Sequence, residues 1–278
     1  MKTVSAERLV DAHVHVWDPG VLRYPWLDDE TTLNRPMLPD GIDRSAHATA
    51  MIFVQAACRF DQAMAEVEWV LRQPWPELAG LVADVRLDDH SLASLLTAYA
   101  GLPDVVGVRH LLHNFGAGEL LSPAMKAGLS EIRHCDLTFD ATLRADQLAE
   151  FARLRESAHY PTTVLDHLGD PPTEAGLGSR EGRRWLDGVA LLAGQPNTFL
   201  KVSGLRDAPA ALPFVEAGVA LFTAQRTMLG SDFPVTEASR WEAIPDALNL
   251  SPDDRATLRW RTAARAYRID PAPAASGA

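Results

Sequence analysis

Cysteine is almost missing from this chain: Cys58 and Cys135 are its only two among 278 residues. Two thiols so far apart imply no disulfide framework and are too few for a cysteine-based zinc site. They read as buried structural thiols in a reducing compartment. Excess positive charge is missing as well, since 37 acidic residues outnumber 26 basic ones and the formal net charge is −11. That balance excludes the basic face of a nucleic-acid binder and argues against an anionic membrane surface as partner. No apolar run approaches the roughly 18 residues a membrane helix needs, and Met1–Leu9 lacks the apolar core of a signal peptide. A cytoplasmic protein is expected. No Gly-x-Gly-x-x-Gly turn follows the first strand-like run, so a dinucleotide-binding fold has little support. Internal repeats and low-complexity blocks are also missing.

What is present is alternation. Eight short β-branched or apolar runs recur along the chain: Leu9–Val16, Ala50–Ala56, Leu78–Arg86, Val105–Leu112, Leu137–Leu143, Thr162–Leu168, Thr198–Val202 and Thr227–Gly230. Most are followed by turn residues and then by helical spacing. Gln62–Gln73 is one such stretch. Asp146–Ala158 is another, with Leu148, Phe151, Ala152 and Leu154 able to form one buried stripe. Strand and helix signals in alternation read as βαβ units on a parallel sheet. Eight of them suggest a closed (β/α)8 barrel, which takes about 250 residues, although strand counting alone leaves an open doubly wound sheet as the alternative. The 47% apolar fraction can supply the core. Residues 1–270 are expected to form this one domain, and the small, proline-rich Pro271–Ala278 a disordered tail. Two loops interrupt the pattern. Asp18–Arg44, with Tyr24 and Trp26 just after Trp17, would fold over the barrel mouth; Gly169–Glu181 would follow strand six.

Three segments place reactive residues at strand ends. In Asp11-Ala12-His13-Val14-His15, alternate residues of a strand point the same way, so the two imidazoles project together. Such a pair can chelate a divalent metal or, without one, polarise a carbonyl. His167 closes the sixth run just before a Gly-Asp-Pro-Pro exit. Asp232 closes the eighth, before Phe233-Pro234, where a carboxylate can ligate metal or act as general base on water. Each has an ordinary explanation alone: a packed histidine, a strand-end histidine, a turn or helix-capping aspartate. Their joint position at the carboxyl ends of strands one, six and eight, of which one and eight are neighbours in a closed barrel and six lies one strand beyond, favours a single site.

Larger pieces carry a resemblance. Val10-Asp11-Ala12-His13-Val14-His15-Val16-Trp17-Asp18-Pro19, followed by Tyr24-Pro25-Trp26-Leu27, resembles the start of the amidohydrolase-related lactonases. That branch holds L-fuconolactonase and L-rhamnono-lactonase and, more distantly, 2-pyrone-4,6-dicarboxylate lactonase. Gly107-Val108-Arg109-His110, Leu137-Thr138-Phe139-Asp140, Leu165-Asp166-His167-Leu168-Gly169 and Gly230-Ser231-Asp232-Phe233-Pro234 match in order, to about Ile269. The resemblance implies an amidohydrolase-superfamily TIM barrel that hydrolyses a lactone. Asp232 is then the base that activates water, His13, His15 and His167 surround the reacting carbonyl, and Arg109 contacts substrate oxygens. One zinc, held by His13, His15, His167 and Asp232, or no metal at all, fits that branch. Arg109 stands where binuclear members place a bridging lysine or glutamate, and Asp140 replaces a strand-five histidine, so a two-metal site is not expected. No organic cofactor is signalled.

Trp17, Trp26, Asp140, His110, His113 and Arg144 are candidate substrate contacts. Aromatic faces suit a sugar ring, and Asp140 and the histidines can bond hydroxyls; Trp26 could equally anchor its loop on the rim. Arg144 with Arg109 could instead clamp a substrate carboxylate. The Tyr24-Pro25-Trp26-Leu27 segment tilts the expectation toward a sugar lactone over a dicarboxylate lactone of aromatic catabolism. Two rivals are a metal-dependent decarboxylase of the same superfamily and a catalytically silent binding protein on a barrel. The expected partner is a small-molecule lactone; exposed helix faces could support a homodimer.

Overall fold

Eight strands form one parallel sheet in chain order: β1 (Val10–Val14), β2 (Ala50–Val54), β3 (Leu78–Asp84), β4 (Val105–Leu111), β5 (Thr138–Thr142), β6 (Thr163–Leu165), β7 (Thr198–Val202) and β8 (Thr227–Leu229). The computed structural model describes residues 8–44, 46–156, 160–205, 208–236 and 241–270. The expected tail Pro271–Ala278 lies outside the described residues. β1 meets the chain beyond β8, and this seam closes the barrel. The Asp232 N–H donates to the His13 carbonyl at 2.8 Å, and the His15 N–H donates to the Phe233 carbonyl at 2.8 Å, with Val14 and Phe233 bridged in parallel.

One irregularity in β1 decides where the histidines point. Val10 pairs with Ala50 and Asp11 with Met51, but Val14 pairs with Phe53, so β1 carries one extra residue between them. Side-chain direction has period two, and a one-residue shift exchanges the faces of everything after it. In unbroken register His13 would lie beside Phe53, whose side chain belongs to the large apolar cluster shared with helix residues Val67 and Val70. The bulge instead aligns His13 and His15 with the inner face of β2. That inner face belongs to a second cluster containing Val10, Ala12, Ile52, Val54, Val82, Val164, Phe199 and Met228.

Six helices follow strands one after another: α1 (Ala63–Leu71), α2 (Leu92–Ala100), α3 (Pro123–His134), α4 (Leu148–Glu156), α5 (Arg180–Ala193) and α6 (Ala208–Phe222). The expected helices over Gln62–Gln73 and Asp146–Ala158 are therefore α1 and α4, each shorter; Ala158 lies outside the described residues. After β8 come α7 (Ile244–Ala247), α8 (Pro252–Ala256) and α9 (Thr262–Tyr267), with a wide turn at Thr257–Arg261 linking the last two. α9 contributes Ala263, Ala266 and Tyr267 to the inner cluster. The loop at 18–44 is fastened rather than loose. Trp17 and Met37 exchange both backbone hydrogen bonds (2.9 and 2.8 Å), and the Trp26 indole donates to the Ala56 carbonyl at 2.8 Å. Cys58 is buried, but Cys135 is only half-buried at the end of α3, contrary to the expectation of two buried thiols. No helix among the described residues is long and apolar enough to cross a membrane.

Candidate active site

The polar centre is assembled at the seam. Close approach of the two chain segments needs Gly230, because a Cβ there would lie 2.7 Å from the His13 Cβ. Asp11 ties the same segments: its Oδ1 accepts from the Ser231 N–H at 2.8 Å and the His13 N–H at 3.2 Å. Burial pushes the Asp11 carboxyl up to about 7. His15 donates its Nδ1 hydrogen to the Val54 carbonyl at 2.7 Å, which leaves a lone pair on Nε2. That nitrogen lies 3.2 Å from His13 Nε2 and 3.3 Å from Asp232 Oδ1. His13 Nε2 is 3.5 Å from the same oxygen. Burial lowers both imidazoles, and for His13 the neighbouring Lys201 lowers it further.

Asp232 sits three residues beyond β8 in a left-handed conformation (φ 62). Its Oδ2 accepts from the Thr236 hydroxyl at 2.8 Å. Burial alone would raise its carboxyl, but His167, His15 and His13 outweigh that and hold it well below the usual carboxylate range. His167 was expected to end strand six. The strand stops at Leu165, because His167 (φ 51) and Leu168 (φ 57) turn left-handed and leave the ladder. That turn brings the His167 ring to 4.6 Å from the His13 ring, with Nδ1 2.9 Å from the Ser203 hydroxyl. Ligand atoms of His13, His167 and Asp232 lie within 4.8 Å of one another. Two imidazoles and a carboxylate are a donor set that fits a divalent ion such as zinc. His15 borders this group through His13 and Asp232.

Beneath the seam lies a fully buried charged layer. Lys201, from β7, reaches Asp140 Oδ2 at 2.6 Å, Asp166 Oδ1 at 2.9 Å and His13 Nδ1 at 3.3 Å. The Tyr267 hydroxyl, rising from α9, donates to Asp140 Oδ2 at 2.6 Å. Burial alone would strip Lys201 of its proton, but the two carboxylates outweigh that and hold it charged. Arg109, 4% exposed, points inward from β4. It donates to the Gln55 carbonyl at 2.6 Å, places Nη1 3.3 Å from His13 Nε2, and leaves Nε without a partner.

His13, His15, His167, Asp232 and Arg109 thus come together. His113 stands nearby, half-buried, close enough to Arg109, Arg144 and His167 to feel their charges, with Nδ1 unpartnered. Trp26 is partly buried, its ring edge-on to Trp17 at 5.3 Å. Four expected contacts are spent elsewhere. Trp17 is fully buried and donates to the carbonyls of Leu33 and Arg35, both at 3.1 Å. Asp140 is in the charged layer. His110 falls on the outer face of β4, in register with Ala141, and accepts from the Leu87 N–H at 3.2 Å. Arg144 is tied to Asp146 and to the carbonyls of His113 and Phe115. Sequence reasoning missed Lys201, Asp166 as a group of its own, and Ser203. A lysine inside the apolar run Thr198–Val202 was the available signal.

A parallel (β/α)8 barrel with a carboxylate among imidazoles at the strands' carboxyl ends defines a barrel enzyme of hydrolytic type. The chain belongs to the amidohydrolase family, whose profile matches residues 10–269. It is 27% identical over 293 residues to an L-fucono-1,5-lactonase from Burkholderia multivorans, covering 95% of this chain and 97% of that protein. A second L-fucono-1,5-lactonase, from Burkholderia ambifaria, is 28% identical over 214 residues, covering 69% and 71% of the two chains. Among solved structures, a Burkholderia multivorans amidohydrolase described with bound zinc is 26% identical at a TM-score of 0.79, covering 95% of this chain and 100% of that one.

Proposed function

We propose that this enzyme opens a sugar lactone, with L-fucono-1,5-lactone as the leading candidate substrate, by attack of water on the ring carbonyl. The observation that carries this reading is Asp232: a buried carboxylate, held ionised by its neighbours, within 3.5 Å of two buried imidazoles at the barrel mouth. Asp232 takes a proton from water while the water oxygen bonds to the carbonyl carbon. The carbonyl becomes a tetrahedral oxyanion, stabilised by the Arg109 guanidinium and by imidazole N–H groups in a site shielded from solvent. Collapse restores the C=O bond and breaks the ring C–O bond. Asp232 returns its proton to the departing oxygen, and the product is a hydroxy acid. A divalent ion held by His13, His167 and Asp232, with His15 alongside, would supply Lewis-acid polarisation of the carbonyl.

The sugar assignment rests on the cations at the mouth. A dicarboxylate lactone calls for paired guanidinium groups. Arg144 has its donors committed to Asp146, His113 and Phe115, which leaves Arg109 to act alone. A neutral polyhydroxylated ring fits that balance, with the Trp26 face and His113 at its edge. The relatives' names point the same way. The test is a pH-indicator screen of sugar lactones against a pyrone dicarboxylate lactone, with and without chelator, while carbon dioxide is followed. Acid release from a sugar lactone without gas is the expected result. Gas release from an aromatic acid would establish the decarboxylase instead, and silence across the panel would overturn the reading.

A further inference from the structure

At the amino-terminal end of the barrel, where β6 and β7 begin, lies a cavity of about 280 Å³ whose walls include Arg133, Arg155, Glu156, Tyr160, Gln195 and Asn197. Arg155, on the last turn of α4, is 7% exposed. Lys201, Arg109 and Arg155 are the buried basic side chains among the described residues. The first two have carboxylate neighbours. Lys201 bonds Asp140 and Asp166, and Arg109 Nη1 stands 3.7 Å from Asp166 Oδ2. Arg155 has none among the described residues. Its Nη1 donates to Gln195 Oε1 at 3.1 Å and to the Thr198 hydroxyl, whereas Nη2 donates to no described residue. Its Nε is buried without a partner. Burial pushes the guanidinium down to about 10, so it remains charged at neutral pH in a place where an unpaired charge is costly.

The two uncommitted nitrogens share one edge of the guanidinium. Their N–H bonds run parallel, the arrangement that matches two oxygens of a carboxylate or phosphate. We propose that this cavity is an oxyanion-binding site, separate from the active site, in which the Nε–Nη2 edge of Arg155 clasps two oxygens of a small phosphate or carboxylate. Arg133, on the last turn of α3, is exposed on the same wall and supplies a second positive charge. Asn197, turned left-handed (φ 57) at the entry to β7, adds a side-chain amide. The Tyr160 hydroxyl is committed to the Leu154 carbonyl, and Gln195 to Arg155 and the Ala152 carbonyl, so these two shape the walls. Glu156 brings a carboxylate to the rim, but it is exposed and lies outside the bonds that hold Arg155. The cavity lies at the end of the barrel away from the chemistry, and its occupation does not depend on the lactone-opening reading.

The test titrates the full-length protein, labelled with carbon-13 and nitrogen-15, with inorganic phosphate and separately with glycolate at constant ionic strength. The Arg155 Nε–H signal is assigned by through-bond correlation to its own backbone. At least one of the two anions is expected to move that signal in a saturable way. Phosphate alone doing so makes the ligand a phosphoryl group, and glycolate alone makes it a carboxylate. Calorimetry on the same solutions should show binding weakened about tenfold or more in Arg155→Lys, which keeps the charge but lacks the fork. Arg133→Ala should weaken it by a few-fold. An Arg155 signal that neither anion moves overturns the proposal. So does a binding heat equal in the wild type and both variants, since the anion would then sit elsewhere. Should Arg155→Lys fail to fold, Arg133→Ala decides: its Arg155 signal must need more anion to saturate than that of the wild type.

Discussion

Gly204 shows how little room the site leaves at single positions. Its φ is +66°, and a Cβ there would stand 2.7 Å from His167 Nδ1 and 3.4 Å from Asp232 Oδ2. Gly204→Ala therefore strains the backbone by about 1–2 kcal/mol and presses directly on the His167 ring. We expect kcat to fall by roughly tenfold to 100-fold through misplacement of the imidazole, with a drop of a few degrees in Tm. Steady-state kinetics and a thermal melt on the same sample check this, and an Ala variant with unaltered kcat would show that His167 is not held by that contact. Residues of this kind also mark what sequence could reveal. His13, His15, His167 and Asp232 were legible because their types are reactive and each follows an apolar run. Lys201 was not, because a charge inside a strand has no local partner to announce it. Its two carboxylates come from 61 residues away on β5 and from the turn after β6. Trp17, His110 and Arg144 misled for the same reason, since nothing local shows that their polar atoms are satisfied by distant carbonyls and amides.

At the scale of the element, strand existence and order were readable while strand ends and the β1 bulge were not. Each apolar run announces a strand, but where the ladder stops depends on left-handed turns such as His167–Leu168 and on pairing across the seam. The bulge is set by how β1 meets β2, a relation between segments some 40 residues apart. α1 offers a test at this scale. Its Glu66 reaches the exit of β2, where Oε1 accepts from the Ala56 N–H at 3.2 Å. Burial first, and then Asp84, push the Glu66 carboxyl from its ordinary 4.5 up to about 8. The folded state thus keeps a proton that the unfolded chain gives up, so stability falls as pH rises through that window. Glu66→Gln has no proton to lose and retains the acceptor. Its Tm should decline less than that of the wild type between about pH 5 and pH 8. Parallel declines in a pH series of melts would show that Glu66 is ionised in the folded protein.

At the scale of the whole molecule, the chain's last helix is joined to the site that its first strand begins. Tyr267 on α9 bonds Asp140, Asp140 bonds Lys201, and Lys201 bonds His13 on β1. Tyr267→Phe leaves a buried carboxylate with one partner fewer and should cost about 1–3 kcal/mol of stability, read as a lowered denaturation midpoint with an unchanged m-value. A midpoint equal to the wild type's would mean that Tyr267 contributes by packing alone. The barrel itself followed from alternation and length, whereas its closure through Asp232 and His15, rather than through a β1–β8 ladder, required the three-dimensional arrangement. Lactone opening as proposed depends on Asp232 acting as the base for water at that seam. The most direct measurement is kcat/KM of Asp232→Asn beside the wild type on L-fucono-1,5-lactone, followed by acid release. The geometry predicts a loss of about 1000-fold or more with the fold intact by circular dichroism; near-normal turnover in the folded variant would contradict it.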